Sequence, residues 1–264
     1  MIRVLFVGDV CGKPGREAVG KILKDIRKKE KIDLVITNVE NVAHGRGATI
    51  DTVDEIISYG VDFMTAGNHI WRRDDFHTLL NGSYPIVRGL NYPDDLPGKG
   101  WGEIDLGSKG KFMVISLIGS EGMHERTIAE PFRCIDNFLK EVNYDEYAGI
   151  LLDFHAETTS EKLAMGLFLD GRVSAVLGTH THIPTADERV LPLGTAYIND
   201  VGAVSPLDSV LWVEKDIVFQ QLMYPYSQRY EIKSDGEVRF DAVVVDITSP
   251  KNASAIRRIN TVLK

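Results

Sequence analysis

The stretch Ile2-Arg3-Val4-Leu5-Phe6-Val7-Gly8-Asp9 decides the fold of this chain. Its apolar run predicts a buried β-strand, and Asp9 follows directly at the carboxyl end of that strand. Pro14 suits the first turn of a helix, and apolar side chains at helical spacing continue to about Lys29. A buried strand followed by an amphipathic helix is typical of an α/β fold.

The alternation of strands and helices continues through most of the chain. Further strands are predicted at residues 34–36, 61–65, 84–87, 112–118, 150–154 and 173–177. Helices are predicted at residues 51–59, 74–80, 131–142 and 160–168. Asn91 to Gly102 is rich in Pro, Gly and Asp and predicts a surface loop. This rhythm favours a sheet that is mainly parallel at first and is covered by helices.

The pattern changes after Leu191. A helix is predicted at Val210 to Met223. An antiparallel hairpin near the end of the chain is predicted at Val238 to Ile247 and Ala253 to Val262. No repeat, low-complexity tract or linker divides the chain, so residues 1–264 are interpreted as a single domain. An exposed hairpin can pair with another subunit, and we therefore expect a small homo-oligomer.

The composition argues against several classes of protein. Hydrophobic residues make up 44% of the 264 residues, which allows a sizeable core. The net charge of −8 disfavours binding to long nucleic acid, because that affinity comes from Lys and Arg on phosphates. Cys11 and Cys134 alone do not make a disulfide framework. Since neither a signal peptide nor a membrane-spanning run is recognised, we expect a cytoplasmic protein without membrane partners.

Groups that bind metal ions follow five of the predicted strands. The most informative is Gly178-Thr179-His180-Thr181-His182, which carries two imidazoles one residue apart. The others are Gly8-Asp9, Asn38-Val39-Glu40-Asn41, Gly67-Asn68-His69 and Asp153-Phe154-His155. In open α/β folds, ligands bind beyond the carboxyl ends of the strands. These motifs supply two carboxylates, two carboxamides and several imidazoles. One tetrahedral ion takes only four ligands, so this larger set suits two divalent ions bridged by a carboxylate.

These motifs resemble those of the calcineurin-like metallophosphoesterase superfamily. Gly67-Asn68-His69 matches its Gly-Asn-His motif, and the histidine motif at residues 178–182 matches with one extra Thr. Cys11 stands where the superfamily has its first His, and Asn38 to Asn41 replace its bridging Asp motif. With Gly8 to Gly15 and Gly194 to Gly202, these departures resemble the YmdB-like branch over nearly the whole chain.

The resemblance implies a four-layer αββα sandwich and a binuclear site that hydrolyses 2′,3′- or 3′,5′-cyclic nucleotides. It implies Fe or Mn, and the mixed O and N ligands also fit Zn or Co. Glu40 would bridge the two ions, and His69 would protonate the leaving oxygen or stabilise the phosphoryl charge. Metal-bound water or hydroxide would be the nucleophile. The implied ligands are Asp9, Glu40, Asn41 and His182 for one ion, and Glu40, Asn68, His155 and His180 for the other.

Simpler interpretations of the same residues stay open. Asp9 could cap a helix, and His155 could be a hydrogen-bonded core histidine. Cys11 could be a soft metal ligand, although a small buried thiol is the better interpretation. His44 and Arg46 lie in a glycine-rich loop after Asn41, where Arg46 could meet a phosphate or the loop could be solvated.

Two other functions also fit the motifs. A phosphomonoesterase or 5′-nucleotidase would use the same ions. The sequences of the loops that shape a substrate pocket do not distinguish it from a phosphodiesterase. A regulatory protein could instead hold a nucleotide at the metal site and turn it over slowly. The intact Asn68-His69 and His180-Thr181-His182 motifs argue against an inactive site.

Overall fold

A computed structural model describes residues 1–125, 127–225 and 229–264. Strands β1 to β14 are, in chain order, Ile2–Val7, Asp9–Val10, Leu34–Asn38, Phe63–Thr65, Ile86–Val87, Trp101–Asp105, Lys111–Ile118, Tyr147–His155, Ala175–Thr179, Arg189–Val190, Ala196–Ile198, Ala203–Pro206, Val238–Ser249 and Asn252–Leu263. Helices α1 to α6 are Gly12–Glu30, Ile50–Ser58, Phe76–Asn81, Pro131–Glu141, Thr159–Phe168 and Lys215–Met223.

The strands form two sheets. In the first sheet the order is β2-β12-β13-β1-β3-β4-β5, and β14 pairs with β13. The neighbours β1, β3, β4 and β5 run parallel, whereas β13 lies antiparallel to β1 with Val4 opposite Val245. In the second sheet the order is β10-β11-β9-β8-β7-β6, with parallel pairing from β11 to β7 and antiparallel strands at both edges.

The two sheets pack face to face, and helices cover their outer faces. Alternate residues of a strand point to opposite faces, so Val4 and Phe6 of β1 enter the core between the sheets, whereas Leu5 and Val7 pack toward α1 and α2. A third apolar cluster lies beneath α4 and α5 on the second sheet. Three cores separate four layers, which confirms the predicted αββα sandwich.

Two sequence predictions had wrong bounds. One concerns a helix in the second half of the chain, and the other concerns the central loop. The predicted helix at Val210 to Met223 begins only at Lys215, because Leu211 has a φ of 61° and Val210 and Val213 close a tight turn. The loop predicted to reach Gly102 ends earlier, since Trp101 already pairs with Ile115 in β6 and β7. Val213 also pairs with Ile232, so both differences involve pairing between segments, which local composition does not show.

The hairpin predicted near the end of the chain is confirmed as β13 and β14. β14 lies at the edge of the first sheet, where its pairing with a second subunit stays a prediction. In the described ranges, no helix has both the length and the apolar character needed to cross a bilayer.

Candidate metal centre

Residues at or just beyond the carboxyl ends of β3, β8 and β9 meet in one largely buried cluster. Glu40 Oε1 lies 3.2 Å from His155 Nε2, and His155 Nε2 lies 3.0 Å from His180 Nδ1. These three side chains offer atoms that all lie within 4.8 Å of one another. Ligand atoms around one ion with bonds of about 2.0–2.1 Å are separated by about 2.9–3.4 Å, so this spacing fits a shared metal ion.

Asp9, Asn41 and His182 adjoin this cluster. The amide nitrogen of Asn41 lies 3.3 Å from Asp9 Oδ1 and 3.4 Å from Glu40 Oε1, and His182 Nε2 lies 3.9 Å from Asp9 Oδ1. A half-turn of the Asn41 amide would present its oxygen to the same space, because the two amide atoms are similar in size. Asp9 is not a helix cap, since α1 begins after Cys11.

Asn68 carries the clearest indication of a metal-binding role. Its Nδ2 donates to Glu125 Oε1 at 3.2 Å, but its buried Oδ1 accepts no hydrogen bond from the described residues. Leaving a buried acceptor unpaired costs about 1–3 kcal/mol. A carboxamide oxygen is a suitable ligand for divalent ions, so the orphaned atom fits a place in the coordination sphere.

Gly67 keeps space open at the cluster. A Cβ at this position would lie 2.3 Å from both Glu40 Oε2 and His155 Nε2. Only glycine therefore allows the backbone to pass so close to the two side chains, and this explains the first residue of the Gly67-Asn68-His69 motif.

The loop that carries His180 and His182 is held in a strained conformation. The two residues have φ angles of 96° and 64°, in the left-handed region that non-glycine residues rarely adopt. Asp200 Oδ2 accepts hydrogen bonds from the backbone N–H and the hydroxyl of Thr181, and it also pairs with Lys162 Nζ at 2.6 Å. Asp200 therefore fixes the histidine loop from behind.

Hydrogen bonds behind the cluster orient His155. The hydroxyl of Thr179 donates to Asp153 Oδ1 at 2.6 Å, so it accepts a hydrogen bond from His155 Nδ1 at 2.9 Å. This arrangement leaves Nε2 of His155 facing Glu40 and His180. Asp153 therefore orients the imidazole through Thr179, a support that metal-binding histidines commonly have.

The ionisable side chains of the cluster shift the pKa values of one another. Burial raises the pKa of Asp9, against the attraction of His155, and repulsion by Glu40 raises it further. Burial also opposes ionisation of Glu40, but the charges of His155 and His69 outweigh it and lower its pKa. Burial and the charge of His155 lower the pKa of His180 to about 3. The imidazole of His180 is therefore neutral, as a metal ligand must be.

His69 lies at the border of the cluster. Its backbone N–H donates to Glu40 Oε2 at 2.9 Å, and its Nδ1 lies 2.7 Å from Asn41 Oδ1. Because these contacts hold the backbone and Nδ1, Nε2 is the ring nitrogen that can face a substrate. The ring also lines a cavity of about 550 Å³ together with His44 and Arg46.

Two residues near the cluster were missed by sequence reasoning. Glu125, which holds the amide of Asn68, lies in a loop without a recognisable motif. Trp212, whose ring lies 4.5 Å from that of His182, falls in the segment that was wrongly assigned to a helix. Cys11 is buried as expected, and its Sγ lies 3.5 Å from His182 Nδ1.

We predict that Glu157→Gln weakens Mn²⁺ binding to the metal-free protein by about tenfold. Glu157 Oε2 lies 2.9 Å from His180 Nε2, so its carboxylate accepts that N–H and leaves Nδ1 free to bind an ion. Calorimetric titration with Mn²⁺ measures the change. Glu121→Gln, an exposed carboxylate nearby, is the control and should bind as the wild type does. Equal affinity in both variants would contradict the role of Glu157.

Comparisons with known proteins identify the family of this chain. A family model described as YmdB-like protein matches residues 5–259. The chain is 38% identical over 259 residues to a Bacillus subtilis protein named 2′,3′-cyclic-nucleotide 2′-phosphodiesterase, a match that covers 98% of this chain and 96% of that protein.

Solved structures show the same fold. A Thermus thermophilus protein has a TM-score of 0.92 and 37% identity, over 100% of both chains. A phosphatase from Mycoplasma pneumoniae has a TM-score of 0.92 and 30% identity, over 99% of this chain and 93% of that one. The names of two of these relatives describe phosphoester hydrolases, in agreement with the predicted enzyme class. The match over nearly the whole length shows that this chain belongs to the YmdB-like family.

Proposed function

We propose that this protein is a metal-dependent phosphodiesterase that hydrolyses cyclic nucleotides at a binuclear centre. The observation that carries the proposal is the largely buried group of Glu40, His155 and His180 beside Oδ1 of Asn68, which is unpaired among the described residues. These four residues would hold one ion. Glu40 would also contact the second ion, whose other ligands would be Asp9, Asn41 and His182.

The bound ions and the side chains of the site would divide the steps of the reaction between them. Bound divalent ions would supply Lewis acidity toward the phosphate and lower the pKa of a water molecule. In the reaction, the water oxygen forms a bond to phosphorus, a phosphorus–oxygen bond to the ribose breaks, and a proton passes to the released ribose oxygen. His69 stands between the cluster and the cavity, where Nε2 can give that proton or stabilise the phosphoryl charge.

The relatives support the substrate class. The Bacillus subtilis relative is named for 2′,3′-cyclic nucleotides, and we infer that this chain acts on the same class. Since the cluster offers carboxylate, carboxamide and imidazole ligands and no thiolate, Fe or Mn suits it, with Zn or Co as alternatives. The 3′,5′-cyclic nucleotides belong in the same substrate panel.

The test compares initial rates on bis(p-nitrophenyl) phosphate and p-nitrophenyl phosphate with added Mn²⁺, with and without a chelator. We expect chelator-sensitive turnover that favours the diester, followed by hydrolysis of 2′,3′-cyclic nucleotides. A preference for the monoester would favour the phosphomonoesterase alternative, for which the Mycoplasma pneumoniae relative named a phosphatase is the precedent. Absence of turnover in protein that holds two metal ions would overturn the catalytic proposal and favour slow regulatory binding.

We predict that His69→Ala lowers kcat by about 10²–10⁴-fold while metal content stays near the wild-type value. Alanine removes the imidazole but keeps the backbone N–H that holds Glu40. Steady-state kinetics on the diester and metal analysis of the purified variant check the two parts. His77→Ala, which removes an exposed histidine close by in the chain, should change neither quantity. A full rate in His69→Ala would exclude the proposed role.

A further inference from the structure

The cavity beside His69 has a mainly apolar wall that the metal cluster does not require. Its volume is about 550 Å³, within the common range for small-ligand sites. His69 belongs to this lining, and its Nδ1 lies 3.4 Å from Glu40 Oε1, so the cavity adjoins the proposed reaction centre. Its other lining residues are His44, Arg46, Val210, Leu211, Trp212, Val213, Val218, Tyr230 and Ile232.

The aromatic part of this wall is held in place by its neighbours. The ring of Trp212 packs on that of His182 at 4.5 Å with an interplanar angle of 35°. On another side, a Cβ at Gly45 would lie 2.4 Å from Trp212 Nε1, so Gly45 makes room for the indole. The turn before Trp212 includes Leu211 in a left-handed conformation, an arrangement that is costly for a branched residue. The wall is thus preorganised.

The wall exposes large apolar side chains next to the reaction centre. Leu211 is 38% exposed and Tyr230 is 47% exposed, although both lie in the cavity lining. Exposed apolar surface that is concentrated in a concave site favours a ligand with a flat apolar face. Arg46 is exposed in the same lining, and no carboxylate of the described residues forms an ion pair with it, so the cavity also attracts anions.

We propose that this cavity is the nucleobase subsite of the enzyme, an inference that rests on the proposed cyclic-nucleotide activity. The base lies against the wall formed by Leu211, Trp212 and Tyr230, while the phosphate lies at His69 and the metal cluster. Stacking on aromatic side chains is tolerant of base identity, because every base has a π-face. The wall therefore selects nucleotides over base-free phosphodiesters and accepts the four bases with similar KM.

The experiment compares adenosine 2′,3′-cyclic phosphate with ribose 2′,3′-cyclic phosphate, which lacks the base. For the wild type we expect kcat/KM to be about tenfold higher with the nucleotide, from the stacking contribution of one base. Tyr230→Ala should remove most of this preference by raising KM for the nucleotide, with the base-free substrate unaffected. Trp212→Leu is a second variant that should act in the same direction.

Phe219→Ala is the matched control. Phe219 is an aromatic residue of α6 that is 48% exposed, almost the same as Tyr230, but it does not line the cavity. It should keep the wild-type preference. Equal kcat/KM for the two substrates in the wild type, or an unchanged preference in both Tyr230→Ala and Trp212→Leu, would overturn the nucleobase subsite.

Binding measurements separate this inference from the proposed function. Equilibrium dialysis with adenosine 3′-phosphate and ribose 3-phosphate reports on the subsite even in protein without turnover. If the wild type hydrolyses neither cyclic ester, the proposed function fails. The subsite is then supported if the nucleotide binds about tenfold tighter than ribose phosphate in the wild type and in Phe219→Ala, but not in Tyr230→Ala. Equal binding of the two ligands by the wild type overturns it.

Discussion

Replacing Glu40 by Gln should remove most metal and most phosphodiesterase activity, with a rate loss of more than about 100-fold. Loss of a residue that only hydrogen-bonds to a metal ligand lowers metal affinity or activity by about 10–100-fold. Glu40 is proposed to contact both ions directly, so its loss should have a larger effect. The substitution keeps the size of the side chain but removes its charge. Glu40 is fully buried and its carboxylate faces His155 and His69, so the neutral amide also leaves these histidines without their counter-charge.

Metal analysis of the purified variant and initial rates on the diester test this prediction together. Glu55→Gln is the matched control, because Glu55 is also an ion-paired carboxylate, bound to Arg16 at 2.6 Å outside the site. It should keep wild-type metal content and rate. If Glu40→Gln retained full metal and full activity, the bridging assignment would be wrong.

Replacing Lys162 by Met should lower the free energy of unfolding by about 3–5 kcal/mol, because it leaves a buried carboxylate without its partner. Lys162 and Asp200 have side-chain exposures of 1% and 0%, and their charged atoms are 2.6 Å apart. Asp200 also holds Thr181 between His180 and His182. We therefore expect the variant to lose metal affinity as well as stability.

Urea unfolding of the wild type and the variant measures the stability change. Lys215→Met is the control, since Lys215 pairs with Asp208 on the surface, where the two side chains are 43% and 68% exposed. Exposed pairs contribute about 0–1 kcal/mol, so this variant should unfold near the wild-type midpoint. A loss in Lys162→Met as small as that in Lys215→Met would show that the buried pair contributes little.

Most of the fold was predictable because its strongest signals are local. The apolar run of β1 and the helical periodicity of α1 are each contained in one continuous segment of the sequence. Both elements were predicted at the correct place. Strands β10, β11 and β12 were not predicted, because they are only two to four residues long. Such short segments become strands only through partners such as β13, which lies far along the chain.

The candidate site was predictable to a similar degree, for a different reason. Parallel strands place their carboxyl ends together, so His155 and His180, at the ends of β8 and β9, could be expected to meet. Glu40 follows β3 of the other sheet, and its approach to these histidines depends on how the two sheets pack. The supporting residues were not visible in the same way. Glu125 and Trp212 reach the site from loops, and no spacing rule relates them to the strands.

The sequence by itself determined the alternation of buried strands and helices, the order of the strand-end motifs and the resemblance to the YmdB-like branch. These properties depend on side-chain type and short-range spacing. Only the tertiary structure decided that Asn68 Oδ1 is left unpaired among the described residues. It also decided that Lys162 neutralises Asp200 behind the histidine loop and that Trp212 lines a cavity beside His69. Each of these depends on the burial and contact of residues distant in sequence, which no local pattern encodes.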